Sequence, residues 1–334
     1  MKRTVSFPAH QLPEAEAEQL GLLVQYFSGK QVSVTAGLEA VAVELEWPTT
    51  EDFYVDPRLR EGLAWWQAGM PLEQLPQALK QHPRYQLSLN DSWTLYAWSQ
   101  WLTQRQRAGN LPEEIIVLHI DDHRDCMAPL LFQQAAHSYR DGITGELVTL
   151  DEPATIAAAI NSGAIAVGSF LTVFLHHCAR VQLRHLFPPH RTAAAHLAGA
   201  IQRVTEPDEL RGADYQRPAV RFEVTDTDTG LSYHPTDQLA DLLADLPPGV
   251  PVLLHVDMDY FNNRFDGDSD WPQHETIHNP PAEQVLKQVR EVFATVLASV
   301  APAQLEDITV ALSPGFFPAE LWQPSIGEIE ALLS

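Results

Sequence analysis

Two stretches constrain the fold of this chain more than any others. In EEIIVLHIDDHRD, apolar residues run from Ile115 to Ile120 with only His119 between them. In PVLLHVDMDYF, a similar run from Val252 to Val256 contains only His255. Neither alternates in the way a half-buried strand does. Continuous runs of this kind mark strands of a parallel sheet covered on both faces. Each also ends directly in an acidic cluster.

The intervening sequence alternates strand and helix patterns. QVSVTAGLEAVAVELEW reads as a strand pair, or as a strand and a short helix. A helix is expected over 57–82, and YQLSLND is a short strand ending at Asp91. WTLYAWSQWLTQRQR is an amphipathic helix whose Trp93, Trp98 and Trp101 belong to the core. DEPATIAAAINSG is a helix closed by Gly163, AIAVGS a buried strand and FLTVFLHHCARVQLRHLF a further helix. A β excursion follows at 217–235, then the helix TDQLADLLADL. After the second acidic strand come the helix AEQVLKQVREVFATVLASV and a last strand, ITVALSPGFFP. The pattern predicts one α/β domain over residues 1–334, with three α-β-α layers and a mostly parallel sheet. Ligands of such sheets bind beyond the carboxyl ends of the strands, where both acidic clusters fall.

Charge narrows the partners. The formal net charge is −23, with 44 acidic and 21 basic residues. Such a field disfavours nucleic acid and anionic membranes and attracts cations. No stretch is long and apolar enough to span a bilayer. Two cysteines, Cys126 and Cys178, exclude a disulfide framework and point to a reduced, cytoplasmic setting.

The clusters carry the chemistry. Alternate residues of an extended chain share a face, so Asp121, His123 and Asp125 can converge, as can Asp257 and Asp259. Converging carboxylates repel and are costly to bury alone, and divalent cations remove that cost. Mixed carboxylate and imidazole ligands suit Mn²⁺ or Fe²⁺, and bridging carboxylates permit two ions. His119 and His255, two residues before the leading aspartates, are read as core histidines or supports behind the ligands. Cys126 beside Asp125 is read as packing, because the carboxylate disfavours a thiolate.

Asp-x-His-x-Asp at one strand end and Asp-x-Asp at a later one resemble the metal motifs of the arginase/deacetylase fold. NDSWTLYAWSQW, HIDDHRDCMAP, ITGELVTLDEPATIAAAINSGAIAVGSFLTVFLHH, VDMDYFNNRFDGDSDW and LSPGFFPAELW are similar to peptide arginases of bacterial, notably cyanobacterial, peptide natural-product pathways. The resemblance spans roughly residues 85–325 and is most specific around Asp121, Ser169, Asp257 and Pro314. It implies two manganese ions, with Asp121 and Asp257 bridging and His123, Asp125 and Asp259 completing the shells. It implies an arginine-containing precursor peptide as partner. Metal-activated hydroxide would convert arginine side chains of that ribosomally made peptide to ornithine and urea.

The chain departs from arginases of free arginine. Asp91 stands where they supply a further metal-binding histidine, and it is the expected sixth ligand. Tyr260-Phe261-Asn262-Asn263 replaces their Asp-Pro continuation. Glu320 is the nearest acid to hold the guanidinium, in two-point geometry. Asn263 and Ser169 are the other expected substrate contacts, although Ser169 also suits a helix N-cap. The proton carrier is Asp125 or a histidine such as His176. Three other activities compete: a small-molecule ureohydrolase of the agmatinase kind, a one-zinc deacetylase of the same fold, and a non-catalytic metal-dependent peptide-binding protein.

Overall fold

The computed structural model describes residues 2–334 apart from Ser28, Leu38, 192–197, Asp226 and 274–277. Its strands are β1 (Lys2–Pro8), β2 (Gln31–Ala36), β3 (Ala40–Glu46), β4 (Leu79–Gln81), β5 (Gln86–Ser88), β6 (Ile115–Ile120), β7 (Leu131–Ala135) and β8 (Ser138–Asp141). They continue with β9 (Leu147–Thr149), β10 (Val181–Leu186), β11 (Gly199–Asp208), β12 (Gly212–Glu223), β13 (Leu231–Thr236), β14 (Val252–Asp257) and β15 (Leu305–Ala311). The α-helices are α1 (Glu16–Tyr26), α2 (Leu59–Gln67), α3 (Trp93–Arg107), α4 (Pro153–Ser162), α5 (Phe170–His177), α6 (Leu239–Leu242), α7 (Ala282–Ser299) and α8 (Trp322–Leu333).

Nine strands form the main sheet in the order β12-β11-β13-β10-β6-β14-β15-β5-β4. The six from β13 to β5 are parallel to one another, and antiparallel strands close both edges. Strands β6 and β14 are buried at every position, as their unbroken apolar runs require. The two faces of β6 feed two cores. Ile115 and Val117 pack with α3, α4, α5 and the sheet β1-β3-β2. Ile116, Leu118 and Ile120 pack with α2, α7 and α8. Trp93, Trp98 and Trp101 lie in the first core, as expected from α3.

Several local expectations are corrected. Residues 57–82 are not one helix: α2 ends at Gln67, and Pro71 and Pro76 frame a 3₁₀ segment before β4. The segment AIAVGS is a loop rather than a strand, buried at Ala164, Ile165 and Ser169 and exposed at Val167. Its Ala164 and Gly168 carbonyls accept from Leu130 and Met127 N–H groups, so its apolar character serves loop packing. The helix expected through Phe187 stops at His177, where Cys178 turns extended, and VQLRHL becomes the parallel strand β10. The segment TDQLADLLADL holds only the single turn α6. Residues 217–235 are no excursion: with β11 they build one edge of the main sheet. Helix α8 carried no expectation.

Candidate metal centre

The acids gather at the carboxyl end of the parallel sheet. Asp91 follows β5, Asp121 and Asp125 follow β6, Asp257 ends β14 and Asp259 comes just after it. All five are at least 94% buried. They lie at the base of a cleft of about 1080 Å³, whose lining includes Asp91, Asp122, His123, Asp125, Asp257, Asp259 and Asp266.

Convergence after β6 arises from a turn, not from continued pleating. The strand ends at Ile120, the His123 N–H donates to Asp121 Oδ1 at 2.6 Å, and Asp125 takes a φ of 50°. After β14 the chain winds into a 3₁₀ turn, where the Asp259 N–H donates to Asp257 Oδ1 at 3.2 Å. Ser313 Oγ donates to Asp257 Oδ2 at 2.5 Å. Asp91 Oδ2 accepts from the Gly168 N–H at 2.8 Å.

Beneath these acids, register aligns three histidines in one row: His185 on β10, His119 on β6 and His255 on β14. Their rings touch, with centroids 4.8 Å apart for His119–His185 and 5.1 Å for His119–His255. His119 Nε2 lies 3.0 Å from the His123 carbonyl, and His185 Nε2 lies 3.1 Å from that of Asp121. Tyr233 Oη sits 2.8 Å from His185 Nδ1. A carbonyl only accepts, so His185 carries its proton on Nε2 and Nδ1 accepts from the Tyr233 hydroxyl. The expectation of satisfied core histidines fails for His255, where neither ring nitrogen has a hydrogen-bond partner.

Burial, then the neighbouring carboxylates, pushes Asp121, Asp125 and Asp257 well above the usual carboxylate range. Burial also raises Asp91 to about 7. For His123, burial acts to lower the imidazole, but Asp259 and bonds to Asp121, Asp259 and Asp266 outweigh it and raise it. Burial and then its neighbour His185 hold His255 down at about 3, so the ring is neutral. Crowded acids, with the neutral ring of His255 beneath them, are what a cation would stabilise.

The ligand atoms fit one. Asp121 Oδ2, Asp125 Oδ2, Asp91 Oδ1 and both His255 nitrogens are buried without hydrogen-bond partners. Atoms of His119, Asp121, Asp125 and His255 lie within 4.8 Å of one another and could hold a metal ion. A second such group, Asp121, His123 and Asp259, shares Asp121 with the first. Orphaned buried carboxylate oxygens are rare in native proteins, and an ion accounts for them.

Other expected residues fall differently. Asn263 donates to Asp122 Oδ2 at 2.6 Å and to Asp266 Oδ1 at 3.0 Å, bracing the cleft wall. Asp122 is gripped by Arg191 through two bonds of 2.6 Å. Glu320 lies outside the cleft lining and pairs with Arg264 at 2.6 Å and Arg58 at 3.4 Å, so its charge is already matched. Asp266 faces His123 at 3.4 Å. His176 bonds to the Ala219 carbonyl at 2.7 Å, at the end of α5 away from the cleft. Ser169 Oγ donates to the Ala166 carbonyl and caps no helix N–H. Cys126 is a neutral thiol, pushed up by burial and then by Asp125.

Sequence reasoning did not foresee His185, Tyr233, Arg191 or the cleft-facing role of Asp266. His185 lay hidden in a segment read as helix; read as a strand, VQLRHL sets its histidine level with His119. No model of a known protein family matches this chain, and no curated protein matches it either.

Proposed function

We propose that this chain is a dimanganese amidinohydrolase of the arginase/deacetylase type, converting arginine side chains of a peptide to ornithine with release of urea. The observation that carries the reading is the set of unpartnered buried carboxylate oxygens and imidazole nitrogens at the base of an open cleft. Asp121, Asp125 and His255 would hold one ion, and Asp121, His123 and Asp259 the other, with Asp91, Asp257 and His119, whose Nε2–H is turned to the His123 carbonyl, beside them. When bound, such ions acidify a water enough to supply hydroxide near neutrality.

The protein's own groups do the rest. The acidic floor draws in the guanidinium cation. Asp266, half-exposed on the cleft wall, replaces Glu320 as the carboxylate that orients it, since Glu320 is spent on two arginines. Water oxygen adds to the guanidinium carbon, and the bond from that carbon to the chain nitrogen breaks. Asp125, through Oδ1, the oxygen not given to the ion, carries both protons of that water in turn to the departing nitrogen, leaving an ammonium side chain and neutral urea. His176 is excluded as carrier by its bond to Ala219 and its place outside the cleft. The cleft is wider than a small guanidino compound needs, which favours a peptide over agmatine-like substrates.

The test is mass spectrometry of arginine-containing peptides incubated with the manganese-loaded protein. A loss of about 42 Da per arginine with matching urea is the expected product of hydrolysis, abolished in Asp121→Asn. Unchanged peptide masses with manganese demonstrably bound would overturn the reading.

A further inference from the structure

The cleft has an acidic floor but an apolar, exposed rim. Among the described residues, nine large apolar side chains are exposed, and three of them, Phe53, Met127 and Val167, line this one cleft. Isolated exposed apolar residues need no explanation, but a set gathered around one opening does.

Their placement is built into the fold. The Met127 N–H donates to the Gly168 carbonyl at 2.9 Å, which fastens Met127 beside Val167. Gly168 has a φ of 76°, and a methyl group there would lie 3.4 Å from Met127 Sδ and 3.7 Å from Asp125 Oδ1. The Met127–Val167 ledge therefore adjoins Asp125. A second ledge adjoins His123. Phe316 meets the His123 ring edge-on at 5.6 Å, and Phe53 stands edge-on to Tyr54 at 5.3 Å. Tyr54 in turn backs closely onto Gly315, next to Phe316.

Six carboxylates line the cleft. Of its two arginines, Arg191 is committed to Asp122 and Arg124 lies over the Phe222 ring at 4.9 Å. The charge is matched by one cationic side chain reaching the floor, and the ledges by apolar groups on the same side of the ligand. In an extended peptide the side chains two positions either side of a given residue share its face. They lie roughly 7 Å away along the chain.

We infer that the rim selects peptides bound in extended form, with large apolar residues two positions before and two positions after the arginine that enters the cleft. This deepens the amidinohydrolase reading and rests on it for the identity of the central side chain.

Three peptides test the inference with the manganese-loaded full chain: acetyl-Leu-Gly-Arg-Gly-Leu-amide, acetyl-Ser-Gly-Arg-Gly-Ser-amide and acetyl-Gly-Leu-Arg-Leu-Gly-amide. Binding is measured by calorimetry and urea release by kcat/KM. The first peptide is expected to exceed both others about tenfold in affinity and kcat/KM, the scale of burying one or two apolar side chains. Phe53→Ser and Met127→Ser, both at exposed positions, are expected to bring these ratios toward one. Equal ratios in the native protein, or ratios untouched by both substitutions, would overturn the inference; urea release would then leave the hydrolase reading standing. Selective binding without urea from any peptide would support the rim and remove the hydrolase. Loss of both selectivity and urea removes both.

Discussion

Asp121 belongs to both candidate metal groups, and its backbone is held from beneath. His185 donates to its carbonyl, and Tyr233 fixes the tautomer of His185. Partners of this kind behind metal ligands typically change affinity by about 10–100-fold when lost. Tyr233→Phe, which keeps the ring and removes the hydroxyl, is expected to weaken Mn²⁺ binding about tenfold. Titration calorimetry on a variant with an unaltered circular dichroism spectrum checks this, and unchanged affinity would reduce the histidine row to packing. A second residue-scale expectation separates two acids. Asp266→Asn should raise KM for an arginine peptide with little change in kcat, the signature of lost substrate binding. Glu320→Gln should leave both constants near native, because Glu320 meets Arg264 and Arg58 rather than the cleft. A large rise in KM for Glu320→Gln alone would reverse the assignment.

At the scale of elements, the sheet β1-β3-β2 is locked onto the body through Lys30 and Gly163. Lys30 Nζ donates to the Gly163 carbonyl at 3.2 Å and lies over the Trp47 ring at 4.9 Å. Gly163 ends α4 with a φ of 79°, and an added Cβ would collide with the Lys30 side chain. Only glycine meets both demands. Burial holds the Lys30 ammonium down to about 8, against 10.5 for an unburied lysine. The folded state thus binds fewer protons than the unfolded chain between those values, and this burden on stability lifts as pH rises from 8 toward 10.5. Lys30→Met removes the titration. Its stability relative to the native chain, read by urea unfolding, is expected to fall by on the order of 3 kcal/mol between pH 7 and pH 10.5. A difference that stays constant with pH would mean that the ammonium is solvated.

For the whole molecule, an ion held by the crowded acids would couple its binding to folding. An ion that binds only the folded chain stabilises it by about 2.7 kcal/mol at a hundred times its Kd. In a chain of this length that corresponds to a rise in Tm of several degrees per ion. Stepwise addition of Mn²⁺ to chelator-treated protein should raise Tm in this way, EDTA should reverse the shift, and Asp121→Asn should abolish it. A Tm insensitive to manganese would argue against a metal centre. Among the described residues no helix is long and apolar enough to cross a membrane, in keeping with the absence of such a run in the sequence.

The buried strands β6 and β14 were legible in sequence because parallel strands covered on both faces need unbroken apolar runs, and little else produces them. The acids were legible for a related reason: polar residues directly after such a run emerge at the sheet's carboxyl end, which singles out Asp121, Asp125, Asp257 and Asp259, whereas Asp91 follows only from the family resemblance. Segment type was not legible where burial alone explains apolarity. AIAVGS is mostly apolar and VQLRHL is half polar, both are short, and only tertiary hydrogen bonding makes the first a loop and the second β10. Register is likewise a tertiary property, and it alone sets His185, His119 and His255 side by side. The fates of Glu320 and His176 were decided the same way. Each has chemistry suited to the site, but whether a charged or polar group is free depends on partners distant in sequence, here Arg58, Arg264 and Ala219. Local pattern thus settles which strands are buried and which acids stand at their ends. The tertiary structure decided which polar groups remain without partners, because pairing depends on distances between segments that local pattern does not encode.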